Sequence, residues 1–338
     1  MLRGSMAAPR GSRSWGSGLR RRRTRLVALV CALLGVAGIA PAGAGSLFVV
    51  CQSGAEVTVI DTGTRAVAAR IAVAPAPAGI GLSPDGRSAY VTHPDAGLLS
   101  RIDTATRQVM QVARLGGQPF GVVADADGGS LYVSDWAGDA VHRLDAHTLA
   151  PTGSLAVGRA PAGLALDPAR RRLYSADRES DAVSVIDLAT FTRIAVVPVG
   201  RAPYAFDGGG DGPVLAVANV QSSDVSLIDK ARHGVVRTPV GRMPYGLALL
   251  PGGARLLVAN QQSGTVSLVD LADAAAPREI ATGRIGGAPE SVAVEAGGTV
   301  AYVTEWFADL VAVIDPQTLA VIARIRVGGG PRTLALVP

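Results

Sequence analysis

At 338 residues with 48% hydrophobic side chains, the chain can bury a sizeable core, which excludes a disordered polymer. Aromatics at only 4%, with Gly 42 and Pro 21 in short punctuating clusters, favour many small strands and tight turns over long helices. The formal net charge of +5 belongs to the N-terminus: residues 1–44 hold eight arginines and no acid, and the remainder has 24 Lys+Arg against 27 Asp+Glu, which excludes a basic footprint for nucleic acid.

Those first 44 residues read as a cleavable secretory signal. An apolar run from Leu26 to Ala40 follows the arginines, and the small residues Ala42-x-Ala44 place cleavage near Ala44. The run is shorter than the ~20 residues that span a bilayer, so no membrane span is expected after cleavage. Arg22-Arg23 offers a twin-arginine pair, yet Arg25 stands where Phe is usual, so general secretory export is expected ahead of twin-arginine export. Residues 45–338 are therefore expected in the periplasm or outside the cell, as a monomer. Cys51 is the only cysteine left after cleavage, so no intramolecular disulfide can form.

From there the chain repeats itself. An apolar residue followed by aspartate recurs at Asp61, Asp103, Asp145, Asp187, Asp229, Asp270 and Asp315, in steps of 42, 42, 42, 42, 41 and 45 residues. A proline after a small-residue turn recurs at Pro77, Pro119, Pro161, Pro203, Pro244, Pro289 and Pro331, and from each of the first six the next such aspartate is 26 residues away. All length variation falls between aspartate and proline, so the constant part should hold the packed inner strands.

Each unit reads as four strands. In the first full copy these are "GIGLSPDG" (79–86), which ends in a Pro-Asp-Gly turn, then "SAYVT" (88–92), "LLSRID" (98–103) and "QVMQVARL" (108–115). Four-stranded units at 40–45 residue spacing predict an all-β fold, a seven-bladed β-propeller with four antiparallel strands per blade, in one domain over 45–338. The chain begins with the second strand of a unit, Leu47–Val50, and ends with the first, Thr333–Val337. The C-terminal strand should therefore complete the N-terminal blade and remove the open edges.

The stretches "AYVTHPDAGLLSRID", "LYVSDWAGDAVHRLD", "LAVANVQSSDVSLID" and "AYVTEWFADLVAVID" resemble the YVTN-type repeat of YncE-like periplasmic and surface-layer-associated propellers. The resemblance covers essentially all of 45–338 and speaks to fold far more than to function. Relatives include accessory propellers of quinone-dependent enzymes and proteins that handle haem d1, so the resemblance implies association with a quinone or haem system. No cofactor of the chain's own is predicted.

Two rings of positions are expected at one channel mouth. After the landmark prolines stand Ala78, Phe120, Ala162, Tyr204, Tyr245, Glu290 and Arg332; at the ends of the second strands stand Cys51, His93, Asp135, Asp177, Asn219, Asn260 and Glu305. Asp and Asn at a strand end often serve only the following turn. The departures from the repeat, His93, Trp136 and Trp306 with Glu290, Glu305 and Arg332, mark a polar and aromatic quadrant suited to a ligand or protein partner. The repeated aspartates read as turn formers, and "DADGG" (125–129) and "DGGGDG" (207–212) lack the distant glutamate of a calcium loop, so no metal is predicted. No hydrolase elbow, zinc-protease helix or haem-attachment motif is present in the sequence.

The sequence thus favours a non-enzymatic binding module that offers its channel mouth to a protein partner or small ligand. Two alternatives stay open: a lactonase- or lyase-type enzyme with His93 as acid-base assisted by Glu290 or Glu305, and a surface adhesion or envelope scaffold protein.

Overall fold

The computed structural model describes residues 45–208 and 212–337. The signal segment, with its arginine pair and the cleavage point near Ala44, lies outside these residues, as do 209–211 of the glycine run and Pro338.

Every repeat folds into one four-stranded antiparallel sheet, and seven such sheets stand among the described residues. Blade 2 shows the pattern, with strands Ile80–Leu82, Ser88–His93, Leu98–Asp103 and Gln108–Arg114. Blade 3 runs from Pro119–Ala124 to Pro151–Ala156, blade 4 from Pro161–Asp167 to Thr192–Pro198 and blade 5 from Pro203–Asp207 to Val235–Pro239. Blade 6 runs from Pro244–Leu249 to Arg278–Arg284, and blade 7 from Pro289–Val294 to Val321–Arg326. Blade 1 is built from both ends of the chain: Pro331–Val337 pairs with Ser46–Cys51, followed by Glu56–Asp61 and Ala66–Ala72. The first strands of successive blades pack against one another, and that of blade 1 joins blade 7 to blade 2. The ring closes one strand against three, as the two chain ends imply.

Burial follows position in the blade. Second strands such as Ser88–His93 are buried along almost their whole length, because neighbouring blades cover both faces. Fourth strands such as Gln108–Arg114 form the outer edge and alternate exposed with half-buried side chains. One apolar cluster fills each of the seven blade interfaces. Between blades 1 and 2, for example, Phe48, Val57 and Val59 pack against Val91 and Ile102. At roughly 1.5–3 kcal/mol per fully buried side chain of this size, these interfaces supply the stability that no disulfide provides.

Two local devices position the mouth. A Cβ on Gly79 would lie 2.3 Å from the Phe120 carbonyl oxygen, and one on Gly163 would lie 2.5 Å from that of Tyr204. Glycine after the landmark residue therefore lets neighbouring first strands approach backbone to backbone and keeps the channel narrow. Hydroxyls then stitch blade to blade: Thr92 donates to Phe120 O at 2.6 Å and Ser134 to Ala162 O at 2.6 Å. The repeated aspartates stand at the ends of the third strands and anchor the turns that follow. Asp103 accepts the backbone N–H and the hydroxyl of Thr106 at 2.7 and 2.9 Å, which holds its carboxyl below the usual carboxylate range. Asp61, Asp145 and Asp187 bond the threonine three residues on in the same way.

Candidate functional site at the channel mouth

The residues after the landmark prolines converge at one end of the channel. Phe120 lies 5.7 Å from Tyr204 between ring centroids, Tyr204 lies 4.8 Å from Tyr245, and Trp136 joins Phe120 at 5.1 Å. Arg332 closes this collar. Its guanidinium lies 5.2 Å from the Phe120 centroid and 5.8 Å from that of Trp306. Its two Nη atoms donate to Gln52 Oε1 at 2.9 Å and to Tyr204 Oη at 2.7 Å. The bulky residues meet across the middle of the channel, so the site is not confined to a quadrant: Tyr204 and Tyr245 belong to it as fully as Phe120.

The electrostatics are tightly balanced. Glu290 Oε2 stands 4.0 Å from Arg332 Nε, close enough for charge attraction but too far for a hydrogen bond, and Nε has no hydrogen-bond partner among the described residues. Gln261 donates to Glu290 Oε1 at 2.6 Å. Burial pushes the Glu290 carboxyl up, against the opposing pull of Arg332 and Gln261. Burial also pushes the Tyr204 hydroxyl up. The burial of Arg332 disfavours its charge, but Tyr204 and Glu290 outweigh that and hold it protonated. Beside this cluster a cleft of about 220 Å³ is lined by Gln52, Pro94, Asp95, Gln118, Phe120, Trp136 and Arg332.

The second expected ring does not face the mouth. Cys51, His93, Asp177, Asn219 and Asn260 are fully buried, and Asp135 and Glu305 nearly so. Most of these side chains bond the residue seven positions on, in the third strand. His93 Nε2 is 2.9 Å from Ser100 Oγ, Asp135 Oδ2 is 3.4 Å from His142 Nε2, and Ser184 donates to Asp177. Asn219 and Asn260 donate to Ser226 and Ser267 at 2.9 and 2.7 Å. Glu305, for which the residue seven positions on is Ala312, accepts from Arg324 Nε at 2.9 Å instead. On their other side these residues fill the space beneath the loop glycines: a Cβ on Gly158 would lie 2.5 Å from Asp177 Cβ, and one on Gly241 would lie 2.6 Å from Asn260 Cγ. They are posts that hold the loop before each first strand. Burial pushes the Asp177 carboxyl up and the His93 imidazole down.

The physical reason for the difference is strand alternation, which turns neighbouring side chains to opposite sides. The residue one place later reaches the collar, which is where Gln52, Gln261, Trp136 and Trp306 stand. Arg178, at the same position in blade 4, lies 5.6 Å from the Trp136 centroid. Gln52, Arg178 and Gln261 were not singled out from the sequence. The signal for them was present: Thr58, Ser100, Ser184, Ser226 and Ser267 follow the buried posts at a constant interval of seven.

The opposite end of the channel is plainer. An open cavity of about 430 Å³ there is lined by the lower ends of the first strands, including Ile80, Leu82, Val122, Leu164 and Phe206. Its carboxylate, Asp207, accepts the Leu249 N–H. The convergence of charge, aromatic surface and unmatched donor lies at the mouth, so the mouth is the candidate site. No group of three or more His, Cys, Asp or Glu suited to a metal occurs among the described residues. Among those residues no helix is long and apolar enough to cross a membrane.

Solved structures share this architecture. One is hydrazine synthase of Kuenenia stuttgartiensis, 22% identical over 80% of this chain and 92% of that chain, with a TM-score of 0.69. Another is the periplasmic gluconolactonase PpgL of Pseudomonas aeruginosa, 18% identical over 87% and 99%, with a TM-score of 0.73. A third is the dihydro-heme d1 dehydrogenase NirN in complex with DHE, 20% identical over 83% of this chain and 63% of that chain, with a TM-score of 0.64. At these identities the likeness is one of fold alone. No curated protein matches the sequence. The family model of the YNCE-like beta-propeller matches residues 24–337, and with the seven closed blades described above the chain belongs to the YncE-like β-propeller family.

Proposed function

We propose that this YncE-like propeller is an exported binding module that presents its channel mouth to a protein partner or small ligand. The observation that carries the reading is Arg332. A guanidinium left only 19% exposed at the channel mouth gives up much of its hydration. The repeat does not demand it, since Ala78 and Ala162 hold the same position in blades 2 and 4. Here the charge is kept, walled by aromatic rings, and left with Nε unmatched. Perturbed, incompletely satisfied charges in a concave aromatic setting are what binding sites are made of. Export is supported by the arginine-rich leader and its small-residue cleavage pattern.

The family resemblance and the likeness to a dihydro-heme d1 dehydrogenase support a role beside a quinone- or haem-dependent oxidoreductase. Haem iron takes an axial imidazole, thiolate or thioether in most such proteins. His93 and Cys51 are both sealed inside their blades, so the side chains at this level do not fit iron ligation at the mouth. The same burial removes His93 from the acid-base role that a lactonase- or lyase-type reaction would ask of it.

The test is a native mass spectrum of the protein purified from the envelope of its own host, beside the Trp136→Ala/Trp306→Ala variant. Both tryptophans are half-buried, so the variant trims the collar without opening a blade interface. The expected result is a bound mass or second chain on the natural protein that is lost from a variant with a nearly unchanged melting temperature. A bare chain from the natural protein, or an adduct indifferent to the collar, overturns the reading.

A further inference from the structure

The mouth face is unequal around the ring, and the inequality has a sign. Two residues before the landmark proline stand Arg159, Arg201 and Arg242 in blades 4, 5 and 6; the other four blades have Pro75, Gly117, Gly287 and Gly329 there. The three arginines are exposed and occupy one structural position, since their backbone N–H groups donate to Ser180, Ser222 and Ser263 at 2.8, 2.8 and 2.7 Å. None makes an ion pair among the described residues. Arg159 is steadied by Glu179 O at 2.6 Å and Arg201 by Gln221 O at 3.4 Å, so the guanidinium groups are oriented while their charge is left uncompensated. Two acids on this face are otherwise engaged: Glu179 pairs with Arg178, and Asp181 accepts the Ala202 N–H.

The arc ends at an apolar anchor. Phe307, in blade 7, is 81% exposed, the most exposed large hydrophobic side chain among the described residues. The same repeat position elsewhere holds Ser53, Asp95, Ala137, Glu179, Gln221 and Gln262. Phe307 borders an open cleft of about 530 Å³ shared with Met243 and Arg284. Solvent-exposed aromatic side chains beside arginines are the composition of protein interfaces, where the aromatic residue anchors and the charge selects.

We propose that the arc of Arg159, Arg201 and Arg242, with Phe307 at its end, docks an acidic segment of a protein partner that carries an apolar side chain for the Phe307 cleft. The inference deepens the function proposed above by naming the partner's chemistry, and it rests on the mouth side being the working face. A few carboxylates match three spaced arginines. A densely charged polyanion is opposed by the net negative charge of residues 45–338 and gains nothing from Met243.

The test measures fluorescence anisotropy of a labelled peptide of alternating glutamate and phenylalanine against the full mature protein at low salt. The probes beside it are the same peptide with lysine for glutamate, phosphatidylglycerol vesicles and a single-stranded oligonucleotide. Arg159→Ala/Arg201→Ala/Arg242→Ala should fold, because glycine or proline stands there in four blades, and it should weaken binding ~10-fold or more; Phe307→Ala should weaken it ~5-fold or more. Absence of peptide binding, binding that survives the triple variant, or preference for the lysine peptide, the vesicles or the oligonucleotide overturns the proposal. The collar variant separates the two readings. An adduct that depends on the collar, with no peptide binding at the arc, sinks the arc alone. Peptide binding at the arc with no adduct at the collar sinks the collar reading.

Discussion

Arg332 donates through Nη2 to Tyr204 Oη at 2.7 Å, joining two blades on opposite sides of the channel and two residues 128 apart in sequence. This bond ties the C-terminal strand to the middle of the chain, and it also fixes the Arg332 guanidinium within the aromatic collar. Structure and candidate function therefore depend on the same pair.

The pair should be energetically coupled. Tyr204→Phe keeps the ring against Phe120 and Tyr245 but leaves an Nη2 donor of the half-buried Arg332 guanidinium unmatched. It is expected to destabilise by about 1.5–3 kcal/mol, the scale of a hydrogen bond to a charged group. Arg332→Met removes the donor, so Tyr204→Phe in that background should cost less by ~1 kcal/mol or more, measured by urea denaturation as a double-mutant cycle. Additive losses would show that water replaces the tyrosine and that the bond does not hold the collar.

Asp177 makes the buried posts testable through pH. Burial raises its folded-state pKa above the unfolded value, so the ionised form weakens the fold: the contribution favourable to stability is complete below the unfolded pKa and is lost as pH rises through the folded one. Asn219 and Asn260 do the same work in blades 5 and 6 without charge. Asp177→Asn should therefore be more stable than the natural protein at pH 7, by about 2 °C in melting temperature, the effect of a fraction of a kcal/mol to 1 kcal/mol in a protein of this size. The gain should shrink as pH falls through the raised pKa. A variant that melts lower at pH 7, or a gap that does not change with pH, contradicts the assignment.

The contrast between the two rings shows where sequence reasoning held. Blade number, strand order and closure follow from spacings, because a repeat leaves the same mark in every copy. The residues after Pro119, Pro203, Pro244 and Pro331 meet at the mouth, where Gly79, Gly121, Gly163 and Gly246 let neighbouring first strands approach backbone to backbone. His93, Asp177, Asn219 and Asn260 were placed one residue out of phase. A strand end followed by an irregular loop gives no periodicity to say which of two neighbouring side chains turns inward, and the decision lies with partners such as Ser100 and Ser184 in the next strand. Gln52 and Gln261 look like ordinary loop residues taken singly, and only the seven-residue interval from the neighbouring posts to Thr58 and Ser267 tells them apart.

Closure of the ring is open to the most direct test. The strand Pro331–Val337 pairs with Ser46–Cys51 along its length, and Leu334 and Leu336 pack against the apolar cluster between blades 7 and 1. Removing residues 332–338 would expose the backbone edge of Ser46–Cys51, uncover Leu47 and Val49, and take Arg332 out of the collar. Each fully buried Val or Leu uncovered is worth roughly 1.5–3 kcal/mol, and several lost together approach the whole stability of a typical domain. An unpaired edge that is also apolar recruits other chains. The truncated protein is therefore expected to elute as aggregates in size-exclusion chromatography and to lose its cooperative melting transition. If it instead remains a monomer with the melting temperature of the full chain, the terminal strand is dispensable and the ring is held shut by blade packing alone.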